Sequence, residues 1–284
     1  MTALWFRQIL AVIRLEIRKT FFARRGLWIY LLALAPVGLF TLHTVVELQL
    51  RHMGRPRTTS IGQMTFVYAG VFQFFYLRLA IFFGCLGIFM NLFRGEMLDK
   101  SLHFYLLAPL RREVLLVGKY LAGLLAATVI FTVSTILQIG AVLWQFDSTT
   151  VAHFLNQSQG TSQILAYLGV TVLACIGYGS VFLAAGLLFR NPIIPAAAVL
   201  IWEAANPVLP SALKKISVIY YLKSLCPVNI PVDPGMPSLL ALLVSNAEPV
   251  AAPLAVSGLL LLSVFILAAS MRRVRVLEIN YTTE

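Results

Sequence analysis

Four ionisable residues that could recognise a partner follow one another at helical spacing in the first half of the chain. Glu96, Asp99, Lys100 and His103 stand at i, i+3, i+4 and i+7, so a helix would carry all four on one face. Leucine and tyrosine side chains would cover the opposite face. A short two-faced helix of this kind is typical of a docking element, and it is equally compatible with a solvated helix that has no partner.

Two further charged residues interrupt stretches that are otherwise apolar. Arg78 and Glu203 each lie near the middle of such a stretch. A charge is costly inside a bilayer, so residues of this kind usually face a protein interior or one another. We expect Arg78 and Glu203 either to form an ion pair that fixes helix packing or to line the path of a transported substrate.

Residue patterns that would support catalysis are absent from the sequence. It contains no His-Glu-x-x-His metal motif, and Gly177-Tyr-Gly-Ser180 places its serine one position late for the Gly-x-Ser-Gly of rhomboid-type proteases. Cys85, Cys175 and Cys226 are far apart and suit small apolar filler better than disulfides or metal ligands. We therefore predict no catalytic residue and no metal site.

The composition predicts the environment in which these residues must work. The 284 residues are 60% hydrophobic and 12% charged, with a mean hydropathy of +0.87, whereas soluble domains are about 25% charged. A chain this poor in charge cannot cover a water-facing surface, so lipid must cover it. The formal charge of +11 comes from residues that flank apolar runs, which indicates topology signals rather than nucleic-acid binding. We predict an all-α integral membrane protein with a single domain, 1–284.

Six apolar segments are predicted to cross the membrane, since a crossing needs about 20 residues. They are 27–46, 66–92, 121–144, 164–189, 193–209 and 249–270. The fifth is the shortest, and the prolines in and beside it favour a break in the helix. Of the 22 Lys and Arg residues, 15 lie on the side of both termini and 6 on the other side. This excess places both termini in the cytoplasm.

The segments outside the spans are predicted to lie along the membrane surfaces. Residues 1–25 place apolar and basic side chains on different helical faces, which is typical of a helix lying among lipid headgroups. Residues 210–248 contain apolar stretches too short to span, so we expect short helices that dip into the outer leaflet. Glycines within the spans allow close helix packing; they are Gly84, Gly87, Gly169, Gly177, Gly179 and Gly186.

The segment 93–119 resembles the corresponding part of permease subunits of ABC-2 type ABC transporters. Members of that family have an acidic residue, a Leu-x-x-Pro, an arginine soon after it and a Gly-Lys that leads into the third span. The layout is similar too, with an N-terminal elbow helix, six spans and a long outer segment before the last span. Among the matching residues here are Glu96, Pro109, Arg112, Gly118 and Lys119.

The resemblance implies that 93–119 is the coupling segment, which seats on a separate ATPase subunit. Glu96, Asp99, Lys100 and His103 would then face the ATPase. Residues at the start of the third span would hold the segment against the ATPase or against lipid phosphate. These residues are Arg111, Arg112 and Lys119, and the neighbouring Glu113 belongs to the same predicted coupling set.

The motor itself is not encoded here, because the sequence lacks the Gly-x-x-x-x-Gly-Lys-Ser/Thr of a P-loop. ATP and Mg²⁺ would be bound by the partner ATPase, and this chain would be no enzyme. A second permease copy or a paralogue would complete an export path in a bacterial inner membrane. The alternatives are a non-transporting membrane scaffold or regulator, and an intramembrane enzyme. A mitochondrial-type carrier is disfavoured because its threefold repeat is missing.

Overall fold

A computed structural model describes residues 2–22, 26–55, 59–98, 111–157, 159–189, 191, 193–230 and 250–275. Every regular element among these residues is helical. The helices are α1 Thr2–Phe22, α2 Leu27–His52, α3 Ile61–Gly70, a π-helix Val71–Ile81, α4 Phe82–Leu98, α5 Arg112–Trp144, α6 Ser148–Gln157, α7 Gly160–Leu188, α8 Ile193–Ala205, α9 Ser211–Lys214, α10 Val218–Leu225 and α11 Ala252–Arg275. A 3₁₀ turn, Asn206–Val208, follows α8.

Five of the helical segments are long and apolar enough to cross a membrane: Leu27–His52, Ile61–Phe93, Arg112–Trp144, Gly160–Leu188 and Ala252–Arg275. Such a set fits a multi-pass α-helical membrane protein, in agreement with the predicted class. The predicted fifth span, 193–209, differs from the others. It forms the 13-residue helix α8 and the 3₁₀ turn, which together are shorter than the roughly 20 residues a crossing needs. The break falls beside Pro207, which cannot continue the backbone hydrogen bonding of α8.

Helices α5 and α7 form the centre of the bundle, and the other long helices pack around them. Helices α1 and α2 lie against α5, whereas α4 and α11 lie against α7. Small residues permit these contacts: a Cβ on Gly186 would come within 3.1 Å of the Met90 backbone. Gly84, Gly87, Gly177 and Gly179 are also at close contacts, whereas Gly169 faces open space.

The middle of the second long segment departs from α geometry. Residues Val71–Ile81 form an 11-residue π-helix between α3 and α4. Its i→i+5 hydrogen bonds place side chains at angles that differ from those of an α-helix. Such stretches are rare in proteins, and those that occur are often found at functional sites. Gln73, Tyr76 and Arg78 all lie on this stretch.

The two ends of the bundle differ in what they carry. At one end, α1 lies beside the end of α4 and the start of α5, and Arg112 contacts the last turn of α11. We call this the α1 end. The opposite end, called here the far end, carries α6, and there Arg51 pairs with Asp147.

Candidate functional site

A buried cluster of charges joins three helices at the α1 end. The Nζ atom of Lys119 is fully enclosed and lies 2.7 Å from Oε1 of Glu16 and 2.8 Å from Oε2 of Glu96. It also donates a hydrogen bond to the carbonyl of Leu92 at 2.7 Å. Lys19 reaches the second oxygen of Glu96 at 3.1 Å. We call these four ionised residues, Glu16, Lys19, Glu96 and Lys119, the Lys119 cluster.

Sequence and packing explain how the cluster forms. Val12 and Glu16 lie one helical turn apart on the face of α1 that meets α5. At their contact α5 has Gly118, where an added Cβ would come within 2.9 Å of Val12. The missing side chain lets the two helices approach, so the next residue, Lys119, can reach the Glu16 carboxylate.

The charges of the cluster balance, which makes its burial tolerable. Burial raises the pKa of Glu16 above its ordinary value, against the lowering effect of Lys119. Burial acts in the same way on Glu96, but Lys119 and Lys19 together outweigh it and hold the pKa of Glu96 below its ordinary value. Removing Glu16, Glu96 or Lys119 would leave an uncompensated buried charge, which is far costlier than loss of an exposed ion pair.

The predicted coupling residues therefore occupy different environments. Glu96 and Lys119 are buried in the cluster and do not lie on an exposed docking face. The helical pattern predicts a face toward a partner for Glu96 but does not say what covers that face, and here Lys19 of α1 lies against its carboxylate. Asp99, Lys100 and His103 lie outside the described residues.

The remaining predicted residues connect the start of α5 with its neighbours. Arg111 is exposed and its guanidinium lies 5.0 Å from the ring centre of Trp5 on α1. Arg112 donates to the carbonyl of Arg275 at 3.0 Å, where the last carbonyls of a helix attract cations. Glu113 forms an ion pair with the Arg275 side chain. These contacts fix both α1 and α11 to the start of α5.

Glu203 caps the N-terminus of α10. Its carboxylate accepts hydrogen bonds from Ser217 Oγ at 2.8 Å and from the backbone N–H groups of Val218 and Ile219 at 2.9 and 2.8 Å. The first N–H groups of a helix have no partner within the helix and carry partial positive charge. A carboxylate is therefore the natural partner there, and Glu203 occupies the place that an external anion would take.

This junction lies deep in the bundle. A Cβ on Gly177, in the middle of α7, would come within 2.7 Å of Val218. Helix α8 thus ends, and α10 begins, at the depth of the middle of a spanning helix. The charge of Arg78 also acts on Glu203, but the direct hydrogen bonds come from Ser217 and the start of α10.

The π-helix is tied to its surroundings by polar contacts. Gln73 donates to the carbonyl of Val228 at 2.8 Å, and Tyr76 donates to the carbonyl of Phe131 at 2.6 Å. The Tyr76 hydroxyl also accepts from Thr135, whose own hydroxyl meets that of Thr171 at 3.2 Å. A line of buried polar groups thereby joins the π-helix, α5 and α7.

Sequence analysis did not predict several of these residues, although the sequence contains features that indicate them. Glu16 is the only acidic residue among the first 46, in a segment whose other charges are all basic. Ser134, Thr135 and Gln138 stand at i, i+1 and i+4 in an apolar helix, and all three are buried. Polar side chains at that spacing mark a face that contacts other helices.

The described residues offer connections between helices rather than a catalytic centre. No group of His, Cys, Asp or Glu among them could hold a metal ion, and the three cysteines are free thiols. What the arrangement can do is transmit a displacement from the α1 end to the spanning helices. No family model matches the chain, and no curated protein sequence matches it.

Proposed function

We propose that this chain is the membrane-spanning subunit of an ATP-driven exporter of the ABC-2 type. A separate ATPase subunit would drive it through segment 93–119. The observation that supports this most directly is the Lys119 cluster, because it locks the two ends of that segment to each other and to α1. Glu96 lies just before the stretch 99–110, and Lys119 lies shortly after it.

A push on this segment would move several spans together. The buried ion pairs join the end of α4 to the start of α5, and Arg112 and Glu113 join α5 to the end of α11. A partner that displaces 99–110 would therefore act on the second, third and last spans as one body. A loop attached only by its backbone would not transmit force in this way.

The junction of α8 and α10 is a second, independent observation that supports a transport role. Transporters commonly contain helices that are interrupted near the middle of the membrane, because such breaks are tolerated only where protein or a water-filled cavity shelters them. Here the break is sheltered by Glu203. We assign the remaining crossing, the fifth in chain order, to α8 together with α9 and α10, with α1 as the elbow helix and both termini in the cytoplasm.

The partners are those that the resemblance implies. ATP and Mg²⁺ would be bound by the ATPase, and a second copy of this chain or a paralogue would complete the substrate path. Export from a bacterial inner membrane is the direction that the resemblance implies.

Association with an ATPase is the direct test. We expect the tagged chain, extracted from its native membrane in mild detergent, to bring down a soluble ATPase, and the purified chain alone to hydrolyse no ATP above background. Reversing the charges of Asp99, Lys100 and His103 should reduce the recovered ATPase at least tenfold. The matched control is His153→Glu on α6, an exposed residue at the far end.

The outcomes separate this proposal from its main alternative. Recovery of no ATPase by the wild-type chain would favour a non-transporting scaffold. Equal loss of ATPase in the His153→Glu control would show that the effect comes from general damage rather than from segment 93–119. Robust ATP turnover by the chain alone would contradict the assignment.

A further inference from the structure

An apolar groove runs between α7 and α11 at the α1 end of the bundle. Its volume is about 530 Å³, which lies in the range of small-molecule binding sites. One wall is formed by Leu187 and Leu188 at the end of α7, and the other by Phe265 and Ala269 on α11. Phe265 is 74% exposed, so the groove is open to the surroundings along its side.

Two arginines stand at one end of this groove. Arg272 and Arg273 both line the groove. They lie one helical turn beyond Ala269 and two turns beyond Phe265, and both are exposed. No carboxylate among the described residues pairs with either of them. Glu113, the acidic residue at this end of α11, is engaged by Arg275 instead.

The groove therefore has two chemically distinct parts in a fixed order. Phe265 and Arg273 are about 12 Å apart along α11 at 1.5 Å per residue, with apolar walls between them. The arginines lie in the last turn of the 24-residue helix α11, directly after its apolar part, the level at which basic side chains meet lipid headgroups. An acyl chain fits the apolar part, and a phosphate fits the two guanidinium groups.

We propose that this groove binds an anionic phospholipid, with one acyl chain between α7 and α11 and its phosphate held by Arg272 and Arg273. Basic pockets between membrane helices are suited to anionic headgroups. This binding site is independent of the transport function proposed above, since it needs neither an ATPase nor a substrate path.

Charge argues against a second copy of the chain in the same place. If the groove met its own copy across a twofold axis, the same surface would lie on both sides. Four arginines would then face one another without a described counter-charge, which is unfavourable for association. A lipid phosphate instead supplies the missing negative charge.

Lipid binding can be measured on the purified full chain by native mass spectrometry during titration with phosphatidylglycerol and, separately, with phosphatidylcholine. We expect phosphatidylglycerol to bind at least tenfold more tightly. The double substitution Arg272→Ala/Arg273→Ala should weaken its binding about thirtyfold, because each basic residue near an anionic headgroup contributes about a factor of five. Binding of phosphatidylcholine should change less than twofold.

Two further variants test the site rather than the net charge. Arg7→Ala/Arg14→Ala removes the same charge from the exposed face of α1 and should leave phosphatidylglycerol binding within twofold of wild type. Ala269→Trp should fill the groove and reduce binding of both lipids.

Three results would overturn the proposal. The first is unchanged phosphatidylglycerol binding in the Arg272→Ala/Arg273→Ala chain. The second is loss of a dimer, rather than of lipid, in Ala269→Trp, which would assign the groove to a second copy. The third is strong lipid binding only after removal of 276–284, which would assign the groove to that segment with its Glu278 and Glu284.

Discussion

The Lys119 ammonium lies 2.7 Å from the Glu16 carboxylate, although 103 residues separate the two along the chain. This contact fixes α1 to α5, the third of the long apolar helices in the described part of the chain. Both side chains are almost fully enclosed, so neither charge is solvated by bulk water in the folded chain.

Loss of Lys119 should therefore be severe. Lys119→Met would leave the carboxylates of Glu16 and Glu96 without their shared cation, and we expect a loss of about 3–5 kcal/mol of stability. The triple variant Lys119→Met/Glu16→Gln/Glu96→Gln should recover much of this loss, because no buried net charge remains. Thermal unfolding in detergent measures both, with the exposed Lys215→Met as the control. A Lys119→Met chain as stable as this control would contradict the role of the cluster.

Acid should weaken the cluster through Glu96. In the folded chain the pKa of this carboxyl lies below its ordinary value of 4.5, so the unfolded chain takes up the proton first and stability falls as the pH drops below 4.5. Glu96→Gln should flatten this decline. Glu16 acts in the opposite direction: burial raises its pKa above 4.5, so its contribution is present below pH 4.5 and is lost as the pH rises.

Unfolding midpoints measured at pH values below and above 4.5 distinguish the Glu16 carboxyl from the Glu96 carboxyl. Glu16→Gln should remove the loss of stability above pH 4.5 and leave the acid decline in place. Equal acid slopes in the wild type and in Glu96→Gln would show that Glu96 is not held in its charged form.

Only part of this arrangement could be predicted from the sequence. The long apolar helices could be predicted, because 20-residue runs without charge have few other stable conformations in a membrane. Glu96 was assigned to a face toward a partner, since helical periodicity describes one helix and not what covers it, and Lys119 was assigned to hold the segment against the ATPase or lipid phosphate. Neither prediction paired the two residues with each other. Glu16 lies on a separate helix, and no local pattern links positions so far apart. The π-helix was missed because its residues are as apolar as those of an ordinary span.

The start of α10 should depend on Glu203. Glu203→Ala would remove the acceptor for the N–H groups of Val218 and Ile219, and each buried donor left unpaired costs about 1–3 kcal/mol. We expect faster hydrogen exchange in the peptide that covers 216–225, by at least tenfold. Ser217→Ala removes only one of the three hydrogen bonds and should have a much smaller effect. Identical exchange in both variants would mean that the carboxylate does not hold this helix end.

Close contact at Gly118 offers a test of helix packing without any change of charge. Gly118→Ala would place a methyl group within 2.9 Å of Val12 and push α1 away from α5, so the unfolding midpoint should fall. Gly140→Ala is the matched control on the same helix, because nothing lies within 4 Å of its added Cβ. It should be neutral or stabilising by up to about 1 kcal/mol, since alanine favours helix more than glycine does. A similar midpoint in both variants would contradict the tight α1–α5 contact.

The separation of Glu16 from Lys119 also bears on biosynthesis. Helix α1 leaves the ribosome before both of its ionic partners, the nearer of which, Glu96, lies 77 residues beyond Lys19. At about 5–20 residues per second, the helix must wait for several seconds before the chain that completes its contacts has been made. During that interval its basic and apolar faces suit the lipid surface, so α1 can serve as a temporary anchor before it becomes a permanent part of the bundle.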